Sequence, residues 1–174
     1  NCHANLSLHG ENRNQIEMCV LCHNPREGDE SQRPSATVAA DKTLPTQGIN
    51  FAMMIHKIHT GETMGAAGKS YAIVGFGGSH NEFNDVRYPS MTLGGSTGNT
   101  AACYMCHVNN SEATFPIGKN NVTDPQGLLN PAPPTTSACT ACHFDTPSFA
   151  HANSQTDPKF GEACTVCHAA GAAY

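Results

Sequence analysis

Cys19-Val20-Leu21-Cys22-His23 is the first of four stretches with one spacing, repeated at Cys103-Tyr104-Met105-Cys106-His107, Cys139-Thr140-Ala141-Cys142-His143 and Cys164-Thr165-Val166-Cys167-His168. The chain also opens on Cys2-His3, the last two residues of a fifth. Two thiols three positions apart, with an imidazole directly after, form the attachment pattern of covalent c-type haem. The thiols add to the two vinyl groups, and the adjacent imidazole binds iron from the proximal side. Five such sites describe a multihaem chain.

Zinc is the competing reading, because Cys-x-x-Cys pairs also build tetrahedral sites. Zinc has no use for a His immediately after every second Cys. With ten His in 174 residues, chance puts one there in all four motifs with a probability on the order of 10⁻⁵. A thioredoxin-like redox pair calls for one motif beside a βαβ pattern, and four scattered motifs do not fit it.

The remaining histidines sharpen the expectation. Of ten, His3, His23, His107, His143 and His168 belong to motifs, which leaves His9, His56, His59, His80 and His151. Five proximal and five distal imidazoles saturate five irons. A bis-His iron exchanges electrons with little rearrangement and keeps no position for a substrate, so the count points to electron transfer ahead of catalysis. His56 and His59 lie in the apolar run Phe51-Ala-Met-Met-Ile-His-Lys-Ile-His59, where an i,i+3 spacing puts both on one helix face and lets one helix serve two haems. His9 and His151 stand near motifs in sequence, and His80 sits in Gly77-Gly78-Ser79-His80-Asn81, which reads as a flexible loop. The six methionines read as packing against flat apolar surfaces rather than as axial ligands.

The formal charge is −5, only 13 % of residues are charged, and there is no Lys/Arg-rich run and no apolar run of membrane-spanning length. Nucleic acid and membrane insertion are therefore not expected. Ten propionates and five ferric centres bring the loaded protein to roughly −10 oxidised and −15 reduced. Haem attachment of this kind is completed outside the cytoplasm, so a signal peptide is expected upstream in the precursor. A two-cysteine attachment for His3 also needs a Cys one position before the chain begins, so residues 1–174 are expected to be a piece of a longer polypeptide.

At about 35 residues per haem the porphyrins must replace much of the usual Leu and Ile core. The expected fold is one pentahaem domain over residues 1–174, with mostly irregular backbone, little β structure, and a few short α-helices at or near the motifs packed around five haems. Residues 24–102 separate the two early motifs from the three late ones and supply ligands rather than haems. A helix is predicted from about Asn50 to Thr60, a short β-like run at Tyr71-Ala-Ile-Val74, a loop at Gly94-Gly-Ser-Thr-Gly98 and a stiff connector at Pro131-Ala-Pro-Pro134-Thr-Thr. A Ca²⁺ ion would find oxygen donors in Asn81-Glu-Phe-Asn-Asp85, but without EF-hand spacing a solvated acidic loop is the better reading.

These motifs, together with Leu6-Ser-Leu-His9-Gly-Glu-Asn-Arg-Asn14, Cys19-Val-Leu-Cys-His-Asn-Pro25, Asn50-Phe-Ala-Met-Met-Ile-His-Lys-Ile-His59 and Gly75-Phe-Gly-Gly-Ser-His80, carry a resemblance over nearly the whole chain. It resembles the C-terminal pentahaem domain of outer-membrane decahaem c-type cytochromes of the OmcA/MtrC family. The resemblance implies bis-His haem c, with His9, His56, His59, His80 and His151 as distal ligands. It implies a place at the cell surface, in the outer membrane or outside the cell of a Gram-negative bacterium, ahead of the periplasm. Implied partners are other haem domains or cytochromes, a porin-cytochrome complex, and extracellular acceptors such as ferric minerals, metal chelates or flavins. The chain has neither the β-barrel domain nor the other pentahaem half of that family, so mineral reduction is implied by resemblance alone.

The expected function is thus a non-enzymatic electron conduit. Two charges ~10 Å apart at an effective dielectric of ~20 interact by about 1.7 kcal/mol, so reduction of one haem disfavours the next and the set titrates broadly. Two rival readings are a multihaem reductase with one open iron and a subunit of a cytochrome filament. The sequence offers no Cys-x-x-Cys-Lys variant to mark an open iron, and self-assembly would show in the mass in solution.

Overall fold

Asn50 starts the element around which the rest is arranged. In the computed structural model, which describes residues 3, 6, 8–89, 100, 102–109, 111, 120–157 and 159–168, its side chain accepts from the Met53 N–H at 3.3 Å and caps helix α2, Phe51–His59. The predicted helix is therefore present, with Asn50 and Thr60 as its two caps. Helix α3, Gly61–Ala66, follows directly. Gly61 is required there, because a Cβ would lie 1.9 Å from the Phe83 carbonyl oxygen.

The other helices are short: α1 Ile16–Cys22, α4 Pro134–Thr140, α5 Thr146–Ser154 and α6 Thr165–His168. Helix α2 packs against α3 and α4, and α4 packs against α5. Among the described residues, sheet structure is confined to two antiparallel ribbons, β1 Ala72–Val74 with β2 His80–Glu82, and β3 Thr156–Asp157 with β4 Gly161–Glu162. Few short helices, little sheet and long irregular connections make up the architecture, as the sequence leads one to expect.

Two expectations are corrected. His80 is the first residue of β2, paired with Val74, rather than part of a flexible loop. The Pro131–Thr136 connector turns helical at Pro134, because proline at the first helical position has a suitable φ and no N–H to leave unpaired. The Glu162 carboxylate of β4 accepts from the Thr135 and Thr136 N–H groups at 3.0 and 2.6 Å and satisfies that helix start. The Gly94–Gly98 loop and Met91 lie outside the described residues.

The apolar interior is small. Met53 packs with Val122 and Ala141, while Met54, Met64 and Tyr71 form a second cluster bordered by Ile55, Ile58 and Phe83. Those three methionines are packing residues as expected, but Met18 is 43 % exposed. Polar groups take over much of the remaining interior. Asp29 accepts from Arg33 Nε and Nη2 at 2.8 and 2.7 Å and from the Gln47 and Val74 N–H groups at 2.8 and 3.0 Å. That carboxylate ties residues 29–47 to β1, and its buried charge is compensated at every contact.

Candidate functional site

Each of the four complete motifs folds into the same turn. The N–H of His23, His107, His143 and His168 donates to the carbonyl of Cys19, Cys103, Cys139 and Cys164 respectively, at 2.9, 2.9, 2.9 and 2.8 Å. One helical turn brings the first thiol, the second thiol and the imidazole to one side of the backbone, which is the arrangement that attachment requires. Cys2 lies outside the described residues. None of the eight other motif cysteines, Cys19, Cys22, Cys103, Cys106, Cys139, Cys142, Cys164 and Cys167, is tied up in a disulfide.

The imidazoles meet in pairs. His9 faces His23 with ring centroids 6.1 Å apart, His56 faces His107 at 6.1 Å, His59 faces His3 at 6.2 Å and His151 faces His168 at 6.1 Å. Every pair joins one motif histidine to one of the remaining five. Two axial nitrogens each about 2 Å from a shared metal put the ring centroids roughly 6 Å apart, so the donors present fit a bis-imidazole centre. The separation lies within the range of ordinary aromatic pairs, but it recurs four times at interplanar angles from 12° to 81°, each time between a motif histidine and one of the others.

Sequence proximity does not decide the partners. His9 faces His23 rather than the nearer His3, and His151 faces His168 rather than the nearer His143. Helix α2 faces two motifs, with His56 opposite His107 and His59 opposite His3. His80 and His143 are the two not found in these four pairs.

Hydrogen bonding at the other ring nitrogen orients the donors. Nδ1 of His23 lies 2.9 Å from the Ile49 carbonyl, that of His56 2.7 Å from Ala52 and that of His59 2.9 Å from Ile55. A carbonyl only accepts, so Nδ1 carries the proton and Nε2 keeps its lone pair for a metal. Burial lowers the His56 pKa and keeps that imidazole neutral, the form that ligates. Nδ1 of His107 is 3.3 Å from the Ser111 hydroxyl, and Nδ1 of His80 is 2.7 Å from Asp41 Oδ2. Reading the sequence for ligands found none of these supporting groups. The i−4 carbonyls follow from helix geometry, but Asp41 is 39 positions from His80 and has no signature of its own.

Among the described residues, no three His, Cys, Asp or Glu side chains converge on a common point that could hold a metal ion. The motif thiols among them therefore do not assemble tetrahedral clusters. Partial burial pushes the Cys142 and Cys164 thiols up, against the thiolate form that nucleophilic chemistry needs. Apolar side chains instead surround the motifs at the surface, with Ile16, Val20 and Leu21 at the first, Val108 at the second and Val166 at the last 46–78 % exposed. Such surface suits the faces of a flat apolar macrocycle. Asn81 of the suggested Ca²⁺ loop donates to Ile73 and Ser79, and Glu82 accepts from Ser70, so both serve the β1–β2 ribbon.

Among the described residues, no helix is long and apolar enough to cross a membrane. A family model described as outer membrane cytochrome MtrC/MtrF-like, domains II/IV, matches residues 1–174. Neither a curated protein nor a solved structure matches the chain.

Proposed function

The chain belongs to the MtrC/MtrF-like outer membrane cytochromes, and we propose that it works as a five-haem electron conduit with every iron held by two imidazoles. The single observation that carries this reading is the set of four His–His pairs at 6.1–6.2 Å, each combining a motif histidine with a distant one. His80 and His143 supply the fifth pair by elimination. When bound, haem c supplies a one-electron couple at each pair. The protein's own contribution is to fix both axial nitrogens, to set the tautomers of His23, His56 and His59 through Nδ1, and to leave no coordination position for a substrate.

Family membership and net charge support the choice of acceptor class. A protein of −5 before its propionates are counted suits acceptors that are cationic, mineral-bound or neutral flavins, reached outside the cytoplasm. Other cytochromes of a porin-cytochrome complex are the expected donors. Assignment to the C-terminal pentahaem half rests on the sequence resemblance, since the family description takes in domains II and IV alike.

Optical redox titration of the reduced holoprotein under carbon monoxide tests the conduit directly. The expected outcome is a broad titration unchanged by carbon monoxide. Carbon monoxide binding at one haem of the native protein would favour a reductase with an open iron instead.

A further inference from the structure

The imidazole of His80 is tied to a charge. The Nδ1 partners of His23, His56 and His59 are neutral carbonyls and that of His107 is a hydroxyl, but His80 meets the Asp41 carboxylate at 2.7 Å. The Asp41 side chain is 3 % exposed and that of His80 is 31 % exposed. The carboxylate is therefore almost wholly withdrawn from solvent.

Two independent braces make this contact rigid. Asp41 stands in the 3₁₀ turn Ala39–Lys42, where Arg33 Nη1 donates to its carbonyl at 3.0 Å while the same guanidinium is clamped by Asp29. On the other side, the Thr37 N–H and hydroxyl both donate to the Gly78 carbonyl, at 2.8 and 3.0 Å. Gly78 has φ +79°, and a Cβ there would lie 2.0 Å from the Ser35 carbonyl oxygen, so the two backbones touch. The turn that leads into His80 is thus fastened to the segment that leads into Asp41.

We propose that Asp41 is a positioning residue that holds down the reduction potential of the centre carried by His80. A charged acceptor draws the Nδ1 proton more strongly than a carbonyl does, makes Nε2 a stronger donor and favours ferric over ferrous iron. Its negative charge in a poorly solvated turn also opposes the arriving electron. The His80 centre becomes a step that an electron crosses uphill, which biases where charge rests along the chain. This rests on the reading of His80 as an axial ligand.

Asp41→Asn keeps the shape and an oxygen acceptor but removes the charge. Potentiometric titration of the five-haem holoprotein, followed optically and by EPR, should show one centre becoming at least tenfold easier to reduce at fixed applied potential, about 59 mV for one electron. Asp41→Glu should restore the lower potential, and Asp41→Ser should reproduce the rise if the buried turn does not accept the amide. His80→Ala is the control for ligation and should turn one low-spin centre high-spin. If His80→Ala does so while neither Asp41→Asn nor Asp41→Ser moves any potential, the tuning role is wrong and the ligand assignment stands. If His80→Ala leaves every centre low-spin, His80 is not an axial ligand and both fall together.

Discussion

His56 and His59 show how a side chain becomes a ligand before any metal is considered. Each donates Nδ1–H to the carbonyl four residues earlier, so helix geometry alone fixes the tautomer and turns Nε2 outward. At the same scale, Glu62 opens the helix that follows. The guanidinium of Arg87, hydrogen-bonded to it, holds its carboxyl below the usual range. The ionised form is favoured on folding, so this contribution is present above the ordinary Glu pKa and is lost as pH falls through the depressed value. Both groups are exposed and the effect is small. Glu62→Gln should lower the melting temperature slightly at pH 7, and the difference should fade as the pH falls through the depressed Glu62 value, as thermal unfolding across the acid range would show. Single residues were legible wherever covalent chemistry imposes a spacing, as with Cys19, Cys22 and His23. Asp41 and Ser111 were not, because a supporting hydrogen bond needs only proximity in space and leaves no fixed offset in the chain.

Helix α2 presents ligands on one face and is anchored on another. Lys57, between the two histidines, reaches Asp124 at 2.9 Å with both side chains nearly buried, and its Nζ lies 5.4 Å from the Tyr71 ring centroid. Tyr71 in turn donates to the Gly48 carbonyl at 2.7 Å. Removing one member of a desolvated ion pair strands the other charge. Lys57→Met should therefore cost about 3–5 kcal/mol in denaturant unfolding of the holoprotein, and adding Asp124→Asn should recover most of the loss. A full loss that persists in the double variant would mean that Lys57 acts through packing rather than charge. This helix was readable because an Asn cap, an apolar run and an i,i+3 His pair all agree. The β1–β2 ribbon was half readable: Tyr71–Val74 has strand composition, but Gly77-Gly78 before His80 looks like loop until the Thr37 and Asp29 contacts are seen. The start of helix α4 was missed because its cap, Glu162, comes from another element and its prolines suggest an extended connector.

Across the whole molecule, the four pairs divide into two geometries. The ring planes of His56 and His107 lie 12° apart and those of His9 and His23 21° apart, whereas His59 and His3 cross at 72° and His151 and His168 at 81°. Near-parallel imidazoles separate the two iron d orbitals that π-bond with the rings, while near-perpendicular ones leave them close in energy and the magnetic anisotropy large. Low-temperature EPR of the fully oxidised holoprotein therefore reads ligation and geometry together. A saturated bis-His conduit predicts two low-spin signal types, an ordinary rhombic set and a strongly anisotropic set, with no high-spin iron. A high-spin signal from the native protein would contradict the account, because it would mean that one centre lacks its second imidazole.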